Sequence, residues 1–173
     1  MGKVLGPGTL IRAKDAQVSD LLVFEENGNR ATAIVFEFND DREALGGMLE
    51  GDERPRLRRI NDDELCANLG SDWLIEPDGS SDAGPGHFEV SRRAGLLVLT
   101  RSGWAMNFAT SYIDGLGRFS WEWRDLGSGK EVQRVDKGLV YDRWQLWTDD
   151  KHRERNGAAP VLSHHAQAAM RND

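Results

Sequence analysis

The chain has 173 residues, enough for one domain with a full hydrophobic core. Its charge is acidic, 29 Asp and Glu against 22 Lys and Arg for a net charge of −7, which disfavours non-specific binding to nucleic acid or membrane, both anionic. A single cysteine, Cys66, excludes an internal disulfide and a cysteine zinc cluster, and no apolar run nears the about 20 residues that span a bilayer. With no apolar secretory core near the N-terminus, a soluble cytoplasmic protein is expected.

In chain order, Gly6-Pro7-Gly8 reads as a turn and residues 9–13 as a short edge strand. Residues 19–25 and 30–38 read as a hairpin around Asn27-Gly28, because a type I′ turn needs positive φ at both central positions. Asp40 and Glu43 then have the spacing of a capping box ahead of Ala44, Leu45, Met48 and Leu49, which predicts a helix despite the cost of Gly46-Gly47. Asn61 and Glu64 repeat that spacing ahead of Leu65 and Leu69, with Gly70 as a stop. Two short helices are thus expected between about residues 40 and 70, after the first hairpin.

Between them lies the one cationic cluster, Arg54, Arg56, Arg58 and Arg59. Arginine forks suit phosphate or carboxylate, so these four are candidates for binding an acidic partner. Alternatively they neutralise the acidic residues around them, Asp40, Asp41, Glu50, Asp52, Glu53, Asp62 and Asp63. No aromatic interleaves to stack on bases, so nucleic acid is not the expected partner. Residues 72–76 suggest a strand carrying Trp73, residues 77–86 a Gly/Ser/Asp/Pro loop, and residues 87–91 a further strand.

Residues 94–148 dominate the chain and hold five of the six tryptophans. Trp104, Met106, Phe108, Thr110 and Tyr112 share one parity, and the small residues Ala105, Asn107, Ala109 and Ser111 share the other. Phe119, Trp121 and Trp123 alternate with Ser120, Glu122 and Arg124 in the same way. Residues 139–147 read as one strand with both faces partly apolar. The small parity predicts a shallow surface or a closely approaching layer; the aromatic parity predicts a core. Residues 149–173 read as a charged tail, with a short helix capped by Ser163 as one option.

The expected fold is therefore mainly β: an antiparallel meander curled into a sandwich or small barrel over residues 1–148, with two short helices inserted after the first hairpin. No phosphate loop, nucleophile elbow or metal-ligand spacing is present, so neither cofactor nor metal is expected. Cys66 reads as a buried structural thiol. Two functions fit. One is a non-enzymatic acidic module recognising a protein partner, of inhibitor, immunity or accessory type, through Tyr141, Arg143, Trp147 and the arginine cluster. The other is a small-ligand-binding barrel or an enzyme with an interior lined by Trp104, Trp121, Trp123 and Trp144, with His87, Glu89, Glu122 and Asp142 as polar participants.

Overall fold

A computed structural model describes residues 8–50, 55–78, 94–110, 120–133, 135 and 138–165. Six strands come first: β1 (Thr9–Arg12), β2 (Leu21–Glu26), β3 (Asn29–Phe38), β4 (Ala44–Glu50), β5 (Arg56–Ile60) and β6 (Leu65–Asn68). There follow β7 (Leu74–Pro77), β8 (Leu97–Thr100), β9 (Gly103–Thr110), β10 (Ser120–Asp125), β11 (Leu139–Tyr141), β12 (Arg143–Trp147), helix α1 (Asp150–Glu154) and β13 (Leu162–His165). The described residues form a ten-stranded sheet in the order β1-β6-β2-β3-β4-β5-β9-β8-β11, with β10 on β9, and a three-stranded sheet β13-β12-β7. Pairing is antiparallel except for a parallel contact of β5 with β9 at Arg56 and Ala109.

The first hairpin forms as its turn dictates. Asn27 and Gly28 have φ of 52° and 82°, and Glu26 pairs with Asn29 across them. Beyond it β3 is buried on both faces: Ala31, Ala33 and Val35 enter one core, Ile34 and Phe36 the other.

The two expected helices are strands. Residues 44–50 are β4 and residues 65–68 are β6; the described helical residues are α1 and a 3-10 turn at Ala13–Asp15. The residues that resembled helix caps lie in turns instead, and Glu43 pairs with Asn39 rather than with Asp40. Asn39 Nδ2 donates to Glu43 Oε2 at 2.8 Å, and the Glu43 amide donates to Asn39 Oδ1 at 2.9 Å. Arg42 turns the chain at φ 64°, so Phe38 meets Ala44 as a hairpin. The turn before β6 is closed through the backbone, the Glu64 amide donating to the Asn61 main-chain carbonyl at 3.0 Å. Short polar side chains serve turns as readily as helix ends.

Gly46 and Gly47, costly in a helix, are needed in β4. A Cβ on Gly47 would run into the Phe36 ring and lie 2.9 Å from Phe108 Cζ, where those two rings meet edge to face at 5.4 Å. Gly47→Ala is expected to lower stability by about 1–3 kcal/mol through overpacking, read as a fall in the urea midpoint. An unchanged midpoint would mean that the Phe36–Phe108 contact is not tight.

The N-terminal half is strongly curled. β5 and β6 are four strand positions apart, about 19 Å on a flat sheet, yet a four-residue link joins them. Inside the curl lies a core of small residues, Ala13, Ala16, Ala31, Ala33, Ala44 and Cys66, with Leu22, Phe24, Met48 and Ile60. The curl stays open rather than closing as a barrel, because β5 continues to β9 and the sheet path ends at β1 and β11.

The second core lies on the other side of β3. Ile34, Phe36, Met106, Phe108 and Leu97 from the large sheet meet Trp144, Leu146 and Ile75 from the small one. The expected single strand over residues 139–147 is two strands in different sheets, broken by a bend at Asp142. That division explains its two part-apolar faces. At the C-terminal end Ser163 sits in β13, paired with Gln145, and not at a helix cap.

Candidate functional site

The pairing of β10 with β9 decides where the central aromatic residues go. Trp121 lies opposite Ala109, Glu122 opposite Phe108, Trp123 opposite Asn107 and Arg124 opposite Met106. Residues directly opposite share a face of the sheet. Glu122 and Arg124 therefore take the side of Met106 and Phe108, toward the second core. Trp121 and Trp123 take the other side, over the floor made by Ala105, Asn107 and Ala109. The floor residues are buried, the two indoles are half-buried, and neither indole belongs to either core cluster.

The four tryptophans expected to line one interior are thus distributed over different surroundings. Trp104 follows the parity of Met106 and packs on the second core, tilted against Tyr141 with ring centroids 5.6 Å apart. Trp144 is inside that core, 1% exposed, and its Nε1 donates to the Gly95 carbonyl at 2.7 Å. Its indole N–H is thereby already engaged. His164 stacks on its face, with centroids 4.7 Å apart and planes 25° from parallel.

The carboxylates are similarly placed by partners. Glu122 Oε1 lies 2.5 Å from Arg124 Nη2, and Arg124 Nη1 also donates to the Gly129 carbonyl at 3.0 Å and approaches Glu37 Oε2 at 3.5 Å. Arg124 is a buried cation within this set. Asp142, on the bend between β11 and β12, is 3.9 Å from both Arg143 Nε and His165 Nε2. His87, Glu89 and Arg54 lie outside the described residues.

Two of the cluster arginines are committed within the fold. Glu26, at the end of β2, holds Arg56 at 3.0 Å and also pairs with Arg58. These strands are separated by β3 and β4, so the pairing reaches across the curl. Arg59 is exposed, as is Arg143. Trp147, expected as an exposed anchor, is buried at 7% exposure, with His152 edge-on to its ring at 5.5 Å. The charged stretch after β12 folds back as α1, with Asp149 Oδ1 accepting from the His152 amide at 2.7 Å, and this return covers the indole.

Chemically reactive groups are subdued. Cys66 is buried, and burial first, then the nearby Glu64 charge, push its thiol up to about 11, leaving it protonated at neutral pH. Among the described residues no group of three or more His, Cys, Asp or Glu is placed to hold a metal ion. No described helix is long and apolar enough to cross a membrane.

The strip of Trp121 and Trp123 on its small-residue floor is the best candidate site. Its sequence signal was the parity of Ala105, Asn107 and Ala109; what the sequence lacks is the pairing that sets both indoles above those residues. No family model matches this chain, and no curated protein or solved structure is found to be similar to it.

Proposed function

We propose that this protein is a non-catalytic binding module that recognises a protein partner through Trp121 and Trp123. One observation carries the reading: two neighbouring indoles lie half-buried on an antiparallel pair, above a buried floor and outside both core clusters. Tryptophan is favoured at binding hot spots because it contributes a large apolar area at low conformational cost. The edge of β10 is closed by the following chain, with the Val132 amide donating to the Trp123 carbonyl at 2.8 Å, which holds the strip in place. The net charge of −7 favours a partner whose contacting surface is neutral or basic. Such a module fits the inhibitor, immunity or accessory type.

The engaged states of Trp144, Glu122 and Arg124 support binding over catalysis. A small-ligand site in this region would rest on Trp121 and Trp123, not on four converging indoles.

The test compares wild type with Trp121→Ser/Trp123→Ser as baits in cross-linking capture, followed by affinity measurement with the retained protein. Loss of both anchors is expected to weaken binding by roughly 100-fold or more, with far-UV circular dichroism unchanged. Identical capture by the two baits would sink the proposal. Quenching of wild-type fluorescence by a metabolite, absent in the variant and without any partner capture, would favour the ligand reading.

A further inference from the structure

We propose that β13 is an acid-released strand: protonation of the His164 ring drives it from its seat and frees the outer edge of β12. The seat is built from two sides. Trp144, directly opposite His164 in the β12–β13 register, supplies one wall through the ring stack. Gly95 supplies the other; a Cβ there would occupy the space of the imidazole, and its φ of 78° suits glycine. The same Gly95 receives the Trp144 N–H on its carbonyl, so ring, indole and backbone form one unit.

The seat suits a neutral ring. His164 Nε2 is buried and has no hydrogen-bond partner of good geometry among the described residues. Burial is the main cause that lowers its pKa from 6.5 to about 4; the Ala94 backbone opposes this, and the His165 charge adds to it. Charged or titratable residues on the elements beside the seat are His165 on β13, Asp142 and Arg143 where β12 begins, Glu76 on β7, which pairs with Arg153, and Asp78 just after β7. The exposed His165 faces Asp142, not the Trp144 wall.

The sign follows from linkage. A histidine with a lowered folded pKa favours the closed strand fully above 6.5, and that preference is lost as pH falls from 6.5 toward 4. Strand opening should increase about tenfold per pH unit in that window, to a limit of roughly 300-fold. Among the described residues β13 pairs with β12 alone, so opening it breaks one ladder and leaves the β7–β12 pairing intact. A freed β12 edge presents unpaired N–H and C=O groups to an incoming strand.

The test uses the full chain, with hydrogen exchange at residues 162–165 from pH 7.5 to 4.5, corrected for intrinsic rates, and an NMR titration of the His164 ring. Protection of β13 is expected to fall about tenfold per unit below 6.5 while β2–β4 stay protected, and His164→Phe should flatten the response. His165→Gln should keep it. Constant β13 protection down to pH 4.5, or an equal fall in His164→Phe, would overturn the proposal. Should the Phe variant fail to fold, the wild-type titration decides: a ring that gains its proton while β13 remains protected rejects acid release.

Discussion

Trp144→Ala is expected to lower the unfolding free energy by about 3–5 kcal/mol, the range for removing a large aromatic side chain from a core. Three contributions converge on this residue. Its side chain lies fully inside the second core beside Leu146, where the two sheets meet. Its departure strips the Gly95 carbonyl of a 2.7 Å hydrogen bond and His164 of its stacking surface. Trp144→Phe separates these effects, since it retains most of the packing but not the donor; a loss of about 1–3 kcal/mol is expected from the unpaired carbonyl. Urea unfolding measures both variants. A cost below about 1 kcal/mol for alanine would mean that this residue is not the join between the sheets.

Arg124→Leu should be comparably damaging for a different reason. The guanidinium links Glu122, Glu37 and the Gly129 carbonyl, and it is buried. Arg124 is buried while Glu122 keeps 23% of its side chain exposed, so removing the cation leaves a partly desolvated carboxylate and an unpaired carbonyl, at a cost of about 2–4 kcal/mol, toward the low end for a buried pair. The double variant Arg124→Leu/Glu122→Leu removes both charges and is expected to recover much of that loss. A double-mutant cycle then gives the coupling directly. If the double variant is no more stable than Arg124→Leu, the pair is screened by solvent and the Gly129 contact explains the effect.

Much of the β architecture was legible because strand alternation and turn chemistry agree locally. Asn27-Gly28 required its hairpin, and the alternations over β3, β9 and β10 have the period of two seen in the strands. The errors arose where one local signal serves two structures. Asp40 with Glu43, and Asn61 with Glu64, have the spacing of a helix cap, yet both stretches form tight turns, the first closed by Asn39 on Glu43 and the second through the backbone. Gly46-Gly47 pointed the right way, since paired glycines are expensive in a helix and useful where Phe36 and Phe108 crowd a strand.

The site was less legible because it depends on pairing. Alternation shows that Trp121 and Trp123 share a face, but only the register with Ala109 and Asn107 says that this face is not Trp104's. Similarly, the acidic group that takes up Arg56 and Arg58 is Glu26, brought near by the curl and not by proximity in the chain. The roles of His164 and His165 separate only once residues 162–165 form a strand, whose alternation turns one ring to Trp144 and the other outward.

β9 has one further consequence. Its first half pairs on one edge with β8, while near its end the Ala109 amide donates to the Pro55 carbonyl on that same edge, and β10 takes the opposite edge. Hairpins such as β2–β3, β3–β4 and β8–β9 join sequence neighbours and close rapidly; the β5–β9 junction joins segments far apart along the chain and must overcome a larger entropic barrier. During synthesis the amino-terminal strands therefore emerge with the flank of β5 unclaimed until β9 leaves the ribosome. In that interval this flank is an open sheet edge, and the exposed charges of Arg58 and Arg59 on it disfavour pairing between nascent chains.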